Sequence, residues 1–598
     1  MYIRISNLFL LLLCTICVCA QILPAPGSKL NYNQIMFEYD KVPGASIYQV
    51  QVAVDEGGSS FKNCVAVQKD SATATMISGL AFGKKYKWRY TGIKAGKKPE
   101  WHGPYDFEIV ADTFISKNIF SLKIIKKDTS NRGLIIMDGT HTIVDRNGNL
   151  VWYLTNVDWI PTTKTRRVTE GNLTKVHNDV TVGPNISDLR VTDAGTITYL
   201  KDSVAAECAL NGNTLWRAPN DGQVNSYGSE SYNHDFKRLA NGHYMVLGNE
   251  LWRKLPAYAD TEAIDKKFVL RTTFNGAEYV STEYGTVIEY DKTGKVVWSW
   301  RSSTYLDKDI LKPASEMPYY MFTSKPHINA FSTDQKNEFV YVGFRDICRI
   351  VKVEKSSGKV VDSWGMQFPT GEARHRVELH GQHDANILPD DNIAVFNNND
   401  YQRLDSFANV IIISQQPADS GKVIWRFDCD FDIRERTMKR NGGNVDQLKN
   451  GNYLVCMGNQ DRIFEVTKSK QVVWLGEIKQ NQPEAVTYTH RLYRAHYVSS
   501  LYPCYFTFYT DADTVGKEAS NFNIRLFNKG SEDDGYVVKV SVAGDALKQF
   551  TTNTLRAGSS TRFFIEAGKP LNKGQIIEVG IQSVTNPDFV RKRVVVVR

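Results

Sequence analysis

The chain has 598 residues, 42% of them apolar and 23% charged, with 42 Gly and an aromatic set of 11 Trp, 29 Tyr and 28 Phe. That composition can bury a large core, which excludes a disordered chain, a collagen and a mini-protein scaffold. Its 73 Lys and Arg against 65 Asp and Glu leave a mild +8, and no basic block resembles a nucleic-acid arm, so nucleic acid is not an expected partner.

Residues 1–20 read as a signal peptide. Arg4 is the only charge before the apolar run Leu8–Ala20, and Val18-Cys19-Ala20 offers small residues for cleavage before Gln21. Ile16-Cys17-Val18 makes a poor lipobox ahead of Cys19. No other stretch approaches the ~18 apolar residues of a membrane helix. The expectation is an exported chain, periplasmic or secreted to the cell surface, with no transmembrane segment after cleavage. Beyond residue 20 there remain Cys64, Cys208, Cys348, Cys429, Cys456 and Cys504, far apart and without metal-ligand spacing. They read as buried thiols with at most one long-range bridge.

Residues 21–110 read as a small β-sandwich. Alternating runs such as Ile47–Val54 and Lys85–Tyr90 are separated by Gly or Pro turns. The phrases VPGASIYQVQVA and SGLAFGKKYKWRYTG look like those of fibronectin type III modules.

Residues 111–505 repeat themselves. A turn, a branched pair and usually a Trp recur as NGNLVW (147–152), NGNTLW (211–216), TGKVVW (293–298), SGKVVD (357–362), SGKVIW (420–425) and SKQVVW (469–474). A second element, L-x-(D/N)-(G/D/N), begins at Leu239, Leu388 and Leu448. Six units of short strands with no helical period predict an all-β, six-bladed β-propeller. The widest gap between copies, from Trp216 to Trp298, leaves room for a seventh blade. Residues 506–598 lose the repeat and read as a C-terminal β-sandwich-like domain without visible chemistry.

A propeller gathers side chains from distant segments around its axis, so chemistry should appear as isolated polar residues at equivalent positions. Among 11 His, three sit in comparable contexts: His234 in SYNHDFKRL, His327 in KPHINAF and His383 in GQHDANIL. His234 and His383 each precede Asp and lie five residues before the hairpin Leu, while Asn329 is two residues beyond His327, on the same face if the strand alternates. Arg345 lies eighteen residues beyond His327. One His-Asp pair on a propeller strand is ordinarily a hydrogen bond within the scaffold; three related positions with an Arg favour a site. His380, three residues before His383, reads as strand-edge or loop, and His141, His177 and His375 have weaker contexts and read as structural. His490 lies in YTHRLYRA, close to Tyr493.

Taken together, His-Asp, His-x-Asn, the Arg, HGQHDANILPDDNIAVFNNND and YTHRLYRA resemble the bacterial arylsulfate sulfotransferases over roughly residues 111–505. The resemblance implies a six-bladed propeller that moves a sulfuryl group from a phenolic sulfate ester to a phenol without a nucleotide sulfate donor, metal or cofactor. It also implies that His383 is the nucleophile, becoming a sulfohistidine in a ping-pong cycle. His234, His327 and Arg345 would complete the catalytic set, and Asn329 and Tyr493 would contact substrate. The partners implied are a small phenolic sulfate donor and a phenol acceptor; a homo-oligomer is allowed. The close cysteine pair found after the nucleophile in some enteric members is missing here.

The chemistry suits the residues. Neutral imidazole is a nucleophile near pH 7, and a guanidinium offers a fork of donors to sulfuryl oxygens. His234 or His327 could protonate the leaving phenoxide and then deprotonate the acceptor. Asp384 is not expected to orient His383, because it follows directly on the strand. Two other readings compete: a non-catalytic recognition propeller, and a metalloenzyme with three His on Cu or Zn, which a cationic Arg345 would oppose.

Overall fold

The computed structural model describes residues 22–58, 60–111, 120–128, 131–155, 162–170, 173–181, 186–201, 203–225, 228–255, 257, 271–274, 276–306, 326–366, 373–399, 406–432, 440–481, 487–489, 492–512 and 520–597. The signal-peptide reading of 1–20 and the residues His490 and Arg491 lie outside them. Strand dominates throughout, and the chain is all-β.

Among the described residues, six sheets of four or five strands follow one another through the middle of the chain. Sheet I joins Leu134–Met137, Thr142–Asp145 and Leu150–Tyr153 to Ala495–Val498. Sheet II runs from Ile186–Val191 to Thr214–Arg217, sheet III from Asn233–Arg238 to Val296–Arg301, and sheet IV from Ile328–Thr333 to Val360–Gly365 with His375–Arg376 added. Sheet V runs from His383–Ile387 to Val423–Asp428. Sheet VI runs from Asn444–Gln447 to Val472–Gln480 and takes Phe120–Lys126 as its outermost strand. The innermost strands touch in sequence, II to III to IV to V to VI, and Ala495–Val498 touches both VI and II. The ring is therefore closed twice: a late strand completes sheet I and an early strand completes sheet VI.

Each repeated phrase supplies the fourth strand of one sheet. The turn before that strand needs a left-handed residue, filled by Gly148, Gly212, Gly294, Gly358 and Gly421 at φ between 67° and 86°. In the sixth copy Lys470 takes that conformation, at φ 66°. The extra residues in the widest gap go to the long hairpin Tyr244–Lys254 with Ala277–Tyr290 and its partner Arg271–Phe274, all within sheet III.

Strand alternation buries both faces of every sheet. In sheet V, Ile393 and Val395 pack with Ile350 and Trp364 of sheet IV, while Ala394 and Phe396 pack with Val445 and Phe464 of sheet VI. Equivalent clusters fill the other four junctions. At the rim, Trp indoles tie one sheet to the next: Trp152 donates to the Leu210 carbonyl at 2.7 Å, Trp298 to Lys355 at 3.0 Å, Trp425 to Lys468 at 2.8 Å and Trp474 to Arg146 at 3.0 Å.

Before the ring, Ser28–Leu30, His102–Ile109, Lys84–Ile93, Ile47–Val54 and Cys64–Asp70 form one sheet that faces the pair Ile35–Glu38 and Ala74–Ile77 across a core containing Phe37 and Trp88. After it, Phe506–Thr510, Asn521–Asn528 and Ser560–Glu566 face a four-stranded sheet ending in Val590–Val596, across a core containing Phe522 and Val538. These two sandwiches meet through Arg591 and Glu38, at 2.5 Å, and Lys529 and Asp70, at 2.6 Å. Gln34 of the first accepts hydrogen bonds from Ser500 and Leu501, just past the closing strand. No disulfide joins the six cysteines Cys64 to Cys504, five of which are buried. Among the described residues no helix is long and apolar enough to cross a membrane.

Candidate active site

The innermost strands of sheets III, IV and V each carry a bulge near their first residues, between Asn233 and Phe236, Ile328 and Ala330, and His383 and Ala385. A bulge re-aims side chains at the cost of a left-handed residue. His234 and Asp384 take such conformations within their bulges, at φ 59° and 54°, and His327 takes one just before its strand, at φ 58°. The consequence is convergence. The rings of His234 and His327 lie 5.0 Å apart, and Tyr493, entering just before the closing strand, lies 5.7 Å from both His234 and His383. His234 Nδ1 is 3.0 Å from the Tyr493 hydroxyl, and burial pushes that phenol well above its ordinary range, so it stays protonated.

His383 is completely buried. Its Nδ1 lies 2.9 Å from Asn398 Oδ1 and 3.1 Å from the Gly381 carbonyl. Both are acceptors, so Nδ1 carries the proton and Nε2 the lone pair. Nε2 is buried and has no hydrogen-bond partner among the described residues. Burial, with the nearby positive charges of Arg345, His327 and Arg494, holds this imidazole well below the ordinary histidine range. The ring is thereby held in its neutral form.

Arg345 follows the second strand of sheet IV, and its backbone N–H donates to the His327 carbonyl at 2.9 Å. Its guanidinium meets Asp346 at 2.8 Å, and His327 Nδ1 lies 3.4 Å from the same carboxylate. Asp346 thus contacts both side chains that sheet IV contributes, His327 and Arg345. The bulge breaks the alternation expected to put Asn329 on one face with His327. Asn329 is fully buried and its amide donates to the Gln382 carbonyl at 2.8 Å, which ties sheet IV to the residue preceding the central His383.

Beneath the histidines, carboxylates staple sheet II to III, III to IV, V to VI and VI to I. Asp188 accepts from the Phe236 N–H at 2.6 Å, Asp235 from Phe331 at 3.0 Å, Asp384 from Val445 at 2.8 Å and Asp446 from Tyr497 at 2.8 Å. Asp138 accepts from the N–H groups of Tyr493 and Arg494, and burial raises it to about 7. The acid after His383 is therefore a staple and does not orient the ring, as the sequence implied. Arg494, fully buried, pairs with Asp188 at 3.0 Å and Asp235 at 3.1 Å and donates to the Asn329 carbonyl at 2.9 Å.

All six residues singled out from sequence thus lie in one region, with Asn329 one layer behind the rings. Asn398, Asp346 and Arg494 were missed. Asn398 sits in an undifferentiated run, Asn397-Asn398-Asn399, and Asp346 and Arg494 adjoin residues that were chosen. Among the lesser histidines, His141 is buried and its ring is held down to about 3 by burial, His375 pairs with Asp362 at 3.0 Å, and the His380 N–H donates to Asn397 at 2.8 Å. His177 lies in the strand Leu173–Thr181. Among the described residues no group of three or more His, Cys, Asp or Glu is arranged to hold a metal ion.

A neutral imidazole with an open nitrogen, beside a fixed guanidinium, is equipment for transferring an anionic group. A profile of the arylsulfotransferase (ASST) family matches residues 125–430, which is half of the chain and spans His234, His327, Arg345, His383 and Asn398. The chain belongs to the arylsulfotransferase family and is an enzyme of the sulfotransferase class. No curated protein matches it. Among solved structures it is similar to a protein of unknown function from Bacteroides caccae, with 11% identity over 62% of this chain and 99% of that one and a TM-score of 0.33. It is also similar to a catalytically inactive virginiamycin B lyase from Staphylococcus aureus with quinupristin, with 9% identity, 60% and 99% coverage and a TM-score of 0.29.

Proposed function

We propose that this protein is an exported arylsulfate sulfotransferase that moves a sulfuryl group from a phenolic sulfate ester to a phenol through a sulfated His383, without a nucleotide sulfate donor. In this reading the six sheets are the blades of a six-bladed β-propeller covering residues 111–505. It is flanked by a fibronectin-III-like sandwich at 21–110 and a C-terminal β-domain at 506–598, and residues 1–20 are a signal peptide. The observation that carries the reading is the buried Nε2 of His383, which has no partner among the described residues while Nδ1 is held by two carbonyl oxygens.

In the first half-reaction the Nε2 lone pair attacks sulfur, the bond from sulfur to the aryl oxygen breaks, and a phenoxide leaves. Arg345 donates to the sulfuryl oxygens as charge redistributes; one such contact is typically worth ~3–4 kcal/mol. His234, backed by the Tyr493 hydroxyl, or His327, backed by Asp346, gives the phenoxide a proton. In the second half-reaction the same imidazole takes the proton of the acceptor phenol. The new phenoxide attacks sulfur and the Nε2–S electron pair returns to the ring.

The test mixes purified protein, 4-nitrophenyl sulfate and excess phenol, with no nucleotide added. Nitrophenolate release that depends on phenol, yields phenyl sulfate and vanishes in His383→Asn supports the reading. Release with free sulfate and no phenyl sulfate makes the enzyme a hydrolase. No release across a panel of donors and acceptors favours a binding propeller.

A further inference from the structure

The partner of the His383 Nδ1 proton is an amide, where a carboxylate is the common choice for orienting an imidazole. Asn398 follows the strand Ile393–Asn397 and is fully buried. Its orientation is fixed from the far side, since Nδ2 donates to the Gly442 carbonyl at 3.2 Å and leaves Oδ1 for His383. Gly442 cannot shift freely: it has φ 75°, and a Cβ there would lie 2.5 Å from the Tyr493 carbonyl oxygen. The buried Arg440 donates to the Asn398 and Asn399 carbonyls at 2.8 and 3.0 Å, pinning the turn that carries the amide. Elsewhere around the site buried charges are closely paired, as with Arg494 between Asp188 and Asp235. At the central histidine the acceptors among the described residues are neutral, the Asn398 amide and the Gly381 carbonyl.

This difference has a chemical consequence that rests on the proposed sulfohistidine cycle. When Nε2 takes the sulfuryl group, the Nδ1 proton stays in place and the ring becomes cationic. A carboxylate at Nδ1 would stabilise that cation by a charge-assisted hydrogen bond and make the ring a poorer leaving group. A neutral carbonyl holds the proton and the tautomer without that stabilisation. We propose that Asn398 is a positioning residue that keeps the sulfated His383 reactive, so that the group passes on to an acceptor and does not rest on the enzyme. No co-reactant beyond donor and acceptor is required. One bond from sulfur to oxygen breaks as the N–S bond forms, and the reverse exchange completes the cycle.

The experiment separates the two half-reactions in wild type, Asn398→Asp and Asn398→Ala by rapid quench and intact mass. Enzyme is mixed first with 4-nitrophenyl sulfate alone and then with phenol. The Asn398→Asp variant should form sulfated enzyme within a few-fold of the wild-type rate and lose it to phenol at least about tenfold more slowly, the difference between a neutral and a charge-assisted partner. Asn398→Ala, which loosens the ring, should slow the first half-reaction and show no selective delay in the second. A second measurement uses wild type only: its sulfated form should return the group to added 4-nitrophenol and regenerate 4-nitrophenyl sulfate. Equal slowing of both half-reactions in Asn398→Asp, or a wild-type sulfated enzyme inert to 4-nitrophenol, would overturn the role of Asn398. If turnover proceeds in wild type with no sulfated enzyme at all, it is the His383 cycle that fails.

Discussion

The outer and inner strands of the same six sheets obey different rules. At the rim, each sheet repeats one solution, a left-handed turn and a branched pair, with a Trp or a packed aromatic reaching the next sheet. At the axis the sheets diverge. Sheets III and V pair a site histidine with a stapling aspartate, His234 with Asp235 and His383 with Asp384, whereas sheet IV supplies His327 and uses the Asn329 amide as its staple. Sheet VI keeps only the staple, Asp446. Where six copies agree, they build scaffold; where they depart from one another, they build the site.

Substitutions should separate those two jobs. His383→Asn should cut transfer by about 10⁴-fold or more, because it removes the nitrogen that takes the sulfuryl group; residual nitrophenolate release in excess phenol measures this. Arg494→Met should act on stability, since it removes one of the two guanidiniums that bridge the buried Asp188 and Asp235 and leaves that task to Arg190. A loss of about 1.5–3 kcal/mol is expected from urea unfolding. Arg345→Ala should lower kcat by about 10²–10³-fold, the effect of losing one preorganised donor to the transferring group.

A smaller effect concerns pH. The groups facing His383 are Arg345, His327, Arg494, Tyr493 and Asn398, and burial with the three cations holds its ring well below the ordinary value of about 6.5. The unfolded histidine would gain a proton on acidification through that value, while the folded one stays neutral. The first half-reaction, followed as kcat/KM for the donor, should therefore stay level from pH 6.5 to about 5.5, where an unshifted histidine would lose about fivefold. Smallest of all, Trp425→Phe removes a rim hydrogen bond to the Lys468 carbonyl and should cost about 0.5–1.5 kcal/mol of stability with kcat unchanged.

The same contrast explains what the sequence reveals. Rim strands are legible because turn chemistry and side-chain alternation are local, and the repeated phrases fall on the fourth strands. His234, His327 and His383 are legible because an imidazole is rare in this chain and these three recur in register. Asn398 and the pairing of Arg494 with Asp188 and Asp235 are not. Nothing within a few residues of them indicates which distant strand they will meet. Closure is hidden for the same reason: Phe120–Lys126 pairs with Val472–Gln480 from the opposite end of the ring. The bulges also escape a period-two reading, and they decide that Asn329 faces Gln382 instead of standing beside His327.

The most direct test of the account is to expose the protein to 4-nitrophenyl sulfate without an acceptor, quench at high pH, and map the sulfated peptide. The account predicts one sulfuryl group per chain, on the peptide that contains His383, discharged when phenol is added before the quench. A modification on another residue, or steady phenol-dependent turnover with His383 never modified, would contradict it.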